Sequence, residues 1–297
     1  MTILPTATDG VLPATLRLGA VALTVTDLDR SVGFYQDSLG LQLHRREPAV
    51  VALGVGEDDL VVLHEQPRAR PAGRHAGLFH FALLYATRER LAHAVRRLAA
   101  SQTALSGASD HGVSEAIYLS DPDGNGIELY ADRPRAAWPP APAGDRVGMF
   151  TRALDMDDLL ASAAGAEPLV HAGRGLRVGH VHLHVGDVDG ARRFYAGVLG
   201  FETMTAFPGA LFLAAGGYHH HLGVNTWRGG GSDRPRPGPS GCGSGRSCST
   251  RTRSARFRVG SQPPVSAPGI SSGIRGGSRF ASLRRRRGQL GCGTIRM

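Results

Sequence analysis

The stretch GAVALTVTDLDRSVGFYQDSLGLQL at residues 19–43 recurs without gaps as GHVHLHVGDVDGARRFYAGVLGFET at residues 179–203. The constant offset identifies an internal repeat. In each copy, apolar residues alternate over about six positions, as in a half-buried strand, and an Asp-initiated amphipathic segment typical of a helix follows. A Leu-Gly pair predicts the left-handed end of that helix. The repeat therefore predicts two copies of a module that begins with a strand and a helix.

Shorter apolar segments complete each copy, and a third unit lies between the copies. Each copy is followed by two further predicted strands, which gives the module order βαβββ. These strands are predicted at 50–55 and 60–64, and at 210–215 and 218–225. The middle unit has the same order, and the turn-rich sequence DPDGNG joins its last two strands. Its predicted elements are a strand at 78–85, a helix at 88–99 and strands at 115–119 and 126–130.

The predicted fold class is α+β, with repeated βαβββ modules that form mixed sheets. We expect an N-terminal pair of modules at 16–133, a linker at 134–175 and a third module at 176–230. The linker is rich in Pro, Ala and Gly, with one short helical stretch at 157–164. The remaining segment, 231–297, is an Arg/Gly/Ser/Pro-rich tail.

Length and composition exclude some classes of protein. A chain of 297 residues corresponds to roughly two domains. No apolar run approaches the ~20 residues of a membrane span, and the first residues lack the basic and apolar regions of a signal peptide. These features predict a cytoplasmic protein without a membrane partner. A homo-oligomer is left open.

The net charge of +9 is concentrated in the tail. From Gly229 onward the chain has fourteen arginines and one acidic residue, so the preceding part carries a net charge of −4. The tail also contains all three cysteines, whereas all 13 histidines precede it. The mildly acidic body argues against a nucleic-acid partner. Histidine, and not cysteine, is therefore the side chain that is expected to carry chemistry.

The repeat offset predicts a fourth module that begins near residue 237, but the sequence there has no strand or helix periodicity. A charged segment dense in Gly, Pro and Ser cannot bury enough apolar surface to offset its chain entropy. We therefore expect no compact fourth module from about Gly229 onward, which would leave the first module without its partner. Three interpretations stay open, namely a disordered cationic tail, an electrostatic nucleic-acid arm, and a reading frame that shifts near Gly231.

Histidines accumulate in the last module alone. His180, His182 and His184 alternate along one strand, so their side chains project from one face of the sheet. A single histidine on a strand is most often an ordinary core or surface residue, but a cluster indicates a site. The equivalent residues of the first copy are Ala20, Ala22 and Thr24. Three further histidines follow at 219–221.

The middle module supplies His80 on its first strand, at the position equivalent to His180, and Glu128 on its last strand. A glutamate beside a hairpin is ordinarily solvated. Together, however, two imidazoles and one carboxylate form the ligand set that holds non-heme Fe(II) while leaving coordination positions open. Open positions would allow a substrate to chelate the metal.

The chain resembles the vicinal oxygen chelate superfamily, which includes glyoxalases, bleomycin resistance proteins and extradiol dioxygenases, and is most similar to catechol 2,3-dioxygenases. The resemblance covers roughly residues 16–230 and implies cup-shaped sheets. It implies Fe(II), with Mn(II) as the alternative, held by His80, Glu128 and His180, with the second and third modules paired. Many relatives instead pair the third and fourth modules, which would leave only His180 here, and this alternative stays open. The motifs that carry it are DLDRSVGFYQDSLGL, GLFHFAL, SDHGVSEAIYLSDPDGNGIELYADRP, GHVHLHV and GGYHHHLGVNTW.

The same resemblance implies roles for three further residues and a reaction. His220, in the pattern His-x-Leu-Gly-Val, matches the acid–base histidine, and Tyr118 matches the active-site tyrosine ten residues before the ligand carboxylate. His111 is expected to hydrogen-bond the substrate oxygens beside Tyr118. His219 and His221 are reserve candidates on the opposite face of a predicted strand. The implied substrates are a small aromatic diol and O2.

Two other functions remain open from the sequence. A glyoxalase-like enzyme would keep the fold and use another divalent metal, but such relatives typically use two glutamates, and only Glu128 is evident. A non-catalytic protein that binds a small aromatic ligand would not require a metal.

Overall fold

The computed structural model describes residues 12–227, except 74 and 167–168, together with two strand segments at 256–260 and 294–296. Three βαβββ modules are present, as the repeat predicts. A short strand, β1 (Arg17–Leu18), precedes the first module. The first module consists of β2 (Val21–Val25), α1 (Leu28–Asp37), β3 (Gln42–Glu47), β4 (Val50–Val55) and β5 (Asp58–Glu65).

Helix α1 begins and ends at the residues that the repeat predicts. The side chain of Asp27 accepts a hydrogen bond from the backbone N–H of Arg30, which caps the helix N-terminus. Gly40 has a φ of +70°, a conformation that glycine adopts without steric cost, and it turns the chain toward β3. Asp187 and Gly200 occupy the equivalent positions of the third module, with the same cap and a φ of +83°.

The second module and the linker follow. The second module consists of β6 (Gly77–Tyr85), α2 (Arg88–Ala100), β7 (Gly107–Asp110), β8 (Ser114–Ser120) and β9 (Gly126–Asp132). The linker contains a 3₁₀ turn, β10 (Arg152–Ala153) and α3 (Met156–Ala161). Helix α3 ends three residues earlier than the predicted helix. The linker is therefore partly structured, because β10 pairs with β7.

The third module contains the strand whose observed start differs most from the predicted one. It consists of β11 (Arg177–His184), α4 (Val188–Tyr195), β12 (Glu202–Phe207), β13 (Ala210–Ala214) and β14 (Leu222–Asn225). The strand predicted at 218–225 begins only at Leu222, because Gly216 and Gly217 have positive φ angles that turn the chain between β13 and β14. The three consecutive histidines thus lie in a connection, and strand alternation does not apply to them.

The second and third modules share one sheet, which is curled into a half-barrel. Its strand order is β10-β7-β8-β9-β6-β11-β14-β13-β12. The modules join where β6 and β11 pair antiparallel, with His80 opposite His182 and Ala82 opposite His180. Strand β9 lies parallel to β6 on its other side. The first strands of both modules and the last strand of the second module are therefore neighbours.

The first module forms a separate sheet that includes two strands from the tail. These strands are β15 (Arg256–Gly260) and β16 (Thr294–Arg296), and the sheet order is β1-β15-β2-β5-β4-β3, with β16 paired to β15. These two strands were not predicted, because the sequence of the tail has no strand periodicity. The rest of the tail lies outside the described residues, so the absence of a compact fourth module remains a prediction.

The first module contacts the loop that joins β8 to β9. In this loop the buried Asp123 carboxylate accepts hydrogen bonds from the backbone N–H of Thr26 at 3.1 Å, from the Thr26 hydroxyl at 2.7 Å and from Arg30 at 2.9 Å. Asp121, two residues earlier, accepts a hydrogen bond from the hydroxyl of Tyr35 at 3.1 Å. Helix α1 and the residues before it therefore hold the β8–β9 hairpin in place.

We expect Asp123→Ala to lower the free energy of unfolding by about 2–3 kcal/mol, since each hydrogen bond to a charged group contributes about 1.5–3 kcal/mol. Urea denaturation measures the change. Asp29→Ala is the matched control because the Asp29 side chain is 81% exposed beside Arg46, and its effect should stay below about 0.5 kcal/mol. Equal effects of the two substitutions would contradict the role of Asp123.

Candidate metal centre and active site

Three side chains from neighbouring strands converge in the shared sheet. His80 lies on β6, Glu128 on β9 and His180 on β11, and their exposures are 7%, 3% and 1%. One potential ligand atom from each residue lies within 4.8 Å of the other two. The convergence that the sequence predicts is therefore present, and it follows directly from the strand order β9-β6-β11.

The donor atoms of this cluster face one another without completing their hydrogen bonds. Glu128 Oε2 lies 3.0 Å from His80 Nε2 and 3.1 Å from His180 Nε2. His180 Nε2 hydrogen-bonds to this oxygen. His80 Nε2, although close to the same oxygen, forms no hydrogen bond with it or with any other described residue. A buried ring nitrogen without a partner costs free energy unless something satisfies it. This arrangement of two nitrogens and one oxygen fits a metal ion.

Electrostatics favour the protonation states that metal ligands require. Burial raises the pKa of the Glu128 carboxyl, but His180 and His80 outweigh burial and hold that pKa well below its ordinary value. Burial lowers the pKa of His180, and the Glu128 carboxylate opposes this effect only in part. An ionised Glu128 carboxylate and a neutral His180 imidazole are the forms that coordinate a cation, because bound ligands must be deprotonated.

The cluster opens onto a cavity of about 570 Å³, in the size range of small-molecule sites. Its walls are largely aromatic. Phe79 and Trp227 contact each other with ring centroids 5.6 Å apart, and Trp227 lies 5.2 Å from the ring of His182. Other residues that line the cavity are His80, His111, Tyr118, Glu128, Phe212 and His220.

Tyr118 and His111 form a hydrogen-bonded pair in the cavity wall. His111 Nε2 lies 2.6 Å from the Tyr118 hydroxyl, and His111 Nδ1 lies 3.1 Å from the backbone carbonyl of Phe150. Burial raises the pKa of Tyr118 well above its ordinary value, and the nearby Glu128 carboxylate raises it further. The phenol therefore keeps its proton and can donate it in a hydrogen bond. The sequence predicts both residues near the ligands, and the structure places them there.

His220 also lines the cavity, although it lies in a connection and not on a strand. Its ring centroid is 4.0 Å from that of His180 and 5.0 Å from that of Phe212. Burial lowers the pKa of His220 well below its ordinary value, and the neighbouring histidines add to the shift. The two reserve candidates do not line this cavity. His219 hydrogen-bonds to Asp132, and His221 Nδ1 accepts from the backbone N–H of Ala215.

The sequence assigned no role to two residues at the site. His182 lies in the cavity wall with a buried Nε2 that has no hydrogen-bond partner among the described residues. Its alternation with His180 was visible in the sequence, but its position beside the aromatic wall depends on the pairing of β11 with β14. Asp132, at the end of β9, contacts the loop that carries the consecutive histidines. Asp132 lies four residues after Glu128. This even spacing could have indicated its place at the site, because it puts both side chains on one face of the strand.

A family model for the Glyoxalase/Bleomycin resistance protein/Dioxygenase superfamily matches residues 17–129 and 177–235. These two segments contain the whole first and third modules and the second module as far as residue 129 in β9. The chain therefore belongs to this superfamily. No helix among the described residues is long and apolar enough to cross a membrane.

Among curated proteins, the chain is 44% identical over 217 residues to a protein from Bacillus subtilis (strain 168) named catechol-2,3-dioxygenase. The match covers 71% of this chain and 75% of that protein. Among solved structures, a mutant form of glyoxalase I from Zea mays is 18% identical, with 71% of this chain and 68% of that chain covered and a TM-score of 0.46. A glyoxalase/bleomycin resistance protein/dioxygenase from Alicyclobacillus acidocaldarius is 20% identical, with 43% and 96% covered and a TM-score of 0.34.

Proposed function

We propose that this protein is an extradiol ring-cleaving dioxygenase that acts on catechol-type aromatic diols with O2. The observation that carries the proposal is the buried cluster of His80, Glu128 and His180 at an aromatic cavity. The 44% identity to a catechol-2,3-dioxygenase supports an enzyme of this kind. The cluster contains one carboxylate, which favours a dioxygenase over a glyoxalase-like enzyme with two glutamate ligands.

The three residues of the cluster would hold Fe(II), with Mn(II) as the alternative. Two imidazoles and a carboxylate on one side of a metal are typical of non-heme Fe(II) oxygenases. When bound, the metal would acidify the diol and bring it together with O2. The orphaned Nε2 of His80 and the ionised Glu128 supply donors that suit such an ion.

His220 is the proposed general acid–base group. Burial keeps its imidazole neutral, so it can accept the proton of a catechol hydroxyl and later return it. Its ring lies beside that of His180, so a diol held at the cluster would be within its reach. His111 Nδ1 donates to the Phe150 carbonyl, so His111 Nε2 accepts the Tyr118 proton and fixes the orientation of that hydroxyl. The Tyr118 oxygen would then accept a hydrogen bond from a substrate hydroxyl.

The cavity walls suit a flat aromatic ring. Phe79, Phe212 and Trp227 offer aromatic surfaces against which a catechol can pack edge to face or offset. A ring bound against these side chains would exclude water from the cluster, which would strengthen the electrostatic interactions within it. The proposed partners are thus the small aromatic diol and O2, and the proposed location is the cytoplasm.

Iron content and oxygen uptake test the function together. The full chain, loaded anaerobically with Fe(II) and then mixed with catechol and ¹⁸O2, should consume one O2 per catechol and give a ring-opened product that contains both labelled atoms. A matched sample loaded with Zn(II) should consume none. Reversible catechol binding without oxygen consumption would instead identify a non-catalytic aromatic-binding protein.

A further inference from the structure

We propose that Asp132 and His219 are positioning residues that set the ring orientation and the proton arrangement of His220. The proposal rests on the acid–base role of His220 in the proposed function. It concerns a line of three side chains that leads from the end of β9 to the active-site cavity. Asp132 and His219 do not line that cavity themselves.

The three side chains form a continuous hydrogen-bonded chain. Asp132 Oδ1 lies 2.8 Å from His219 Nε2, and His219 Nδ1 lies 2.8 Å from His220 Nδ1. Asp132 is four residues after Glu128 on β9, so the strand that carries the proposed carboxylate ligand also carries the outer end of this chain. One strand thereby fixes both the cluster and the support of His220.

Packing around His219 keeps this chain in one arrangement. His219 is completely buried, with its ring centroid 4.0 Å from that of Tyr218 and 5.5 Å from that of Trp138. The Tyr218 hydroxyl also donates to Asp132 Oδ1 at 3.2 Å. An imidazole confined on several sides in this way has little freedom to rotate, so its hydrogen bonds decide which nitrogen carries the proton.

Donor and acceptor rules then determine the proton positions. The Asp132 carboxylate can only accept, so Nε2 of His219 carries a proton and donates it. The two Nδ1 atoms that face each other share one further proton, because one must donate and the other accept. With one proton on each ring, His219 Nδ1 is the acceptor and His220 Nδ1 is the donor. The Nε2 atom of His220 therefore holds a lone pair, as a general base requires.

Ring-nitrogen NMR tests the proton positions independently of activity. In the full chain labelled with ¹⁵N-histidine and loaded with Zn(II), His220 should be protonated at Nδ1 and His219 at Nε2. In Asp132→Asn the amide can donate to His219 Nε2, so this nitrogen loses its proton. His219 should then be protonated at Nδ1 and His220 at Nε2, just as replacement of the carboxylate changes the histidine tautomer in a catalytic triad. Unreversed tautomers in this variant, or a wild-type His220 protonated at Nε2, would overturn the proposal.

Kinetics of the Fe(II)-loaded chain provide the second test. Asp132→Asn should lower kcat by about 10- to 100-fold with little change in KM or iron content, since the whole acid–base group contributes about 10²–10⁴-fold. Asp132→Glu, which keeps a carboxylate, should recover most of the rate. Asp59→Asn is the control, because it alters a similar aspartate–histidine pair, Asp59 with His44 in the first module, and its kcat should change by less than about twofold.

Two outcomes separate this proposal from the proposed function. A wild-type chain that fails to cleave catechol refutes the dioxygenase function, while the tautomers measured by NMR still decide the positioning role. A chain that cleaves catechol, with unchanged kcat in Asp132→Asn, refutes the positioning role alone. If Asp132→Asn does not fold, His219→Phe removes the acceptor for His220 while keeping a ring, and it should lower kcat to the same extent.

Discussion

Glu128→Gln should abolish stable iron binding and reduce ring cleavage by about 10³-fold or more. Glutamine keeps the shape of the side chain but removes the negative charge that lies 3.0–3.1 Å from the two imidazoles. Stabilisation by a catalytic metal amounts to several kcal/mol, and each 1.36 kcal/mol corresponds to about tenfold in rate. Iron per chain after desalting, together with initial oxygen-uptake rates, measures both effects.

The control for this substitution is Glu89→Gln on helix α2. The Glu89 side chain is 58% exposed, and its loss should leave iron content and rate unchanged. Circular dichroism and thermal unfolding check that the Glu128 variant remains folded. A folded Glu128→Gln protein that retains one iron per chain at wild-type affinity would show that Glu128 is not a ligand.

His220→Gln should leave iron bound and lower turnover by about 10²–10⁴-fold, the usual contribution of a general acid–base group. Glutamine can still hydrogen-bond within the cavity, but it cannot accept and return a proton at neutral pH. The expected result is a fall in kcat without loss of metal. Metal analysis and steady-state oxygen uptake on the same preparation measure the two quantities.

His221→Gln is the matched control, one residue further along the same connection. His221 lies outside the active-site cavity, where its Nδ1 accepts a hydrogen bond from the backbone N–H of Ala215. A glutamine oxygen can take over that bond, so we expect near wild-type turnover. Loss of iron in His220→Gln would show that His220 is a metal ligand. Equal losses of turnover in both variants would show that His220 is not the acid–base group.

The module order could be predicted because the first and third units share the same local signals and the second unit shows the same succession of strand and helix patterns. The pattern of strand, N-cap and Leu-Gly end in the repeat gives the bounds of α1 almost to the residue, since caps and a positive φ at Gly40 are local properties. The alternation of His180, His182 and His184 with apolar residues also gave the correct face of β11. Val181 and Leu183 lie in the hydrophobic core on the opposite face.

The connection before β14 could not be predicted from alternation. Residues 219–221 are buried like a strand, but Gly216 and Gly217 redirect the chain, and the segment is held by side-chain contacts to Asp132 from another module. Those contacts exist only after β6 and β11 have joined the second and third modules. The strand pairs of the tail segment 256–260 likewise depend on distant partners, among them Ala22 on β2.

The central claim is that His80, Glu128 and His180 hold the catalytic iron, and anomalous X-ray scattering tests it most directly. Crystals of the full chain loaded with Fe(II) under anaerobic conditions would be measured on both sides of the iron absorption edge. The account predicts one strong difference peak between the two imidazoles and the carboxylate, at the edge of the aromatic cavity. An iron-loaded crystal whose peak lies away from these three side chains would contradict it.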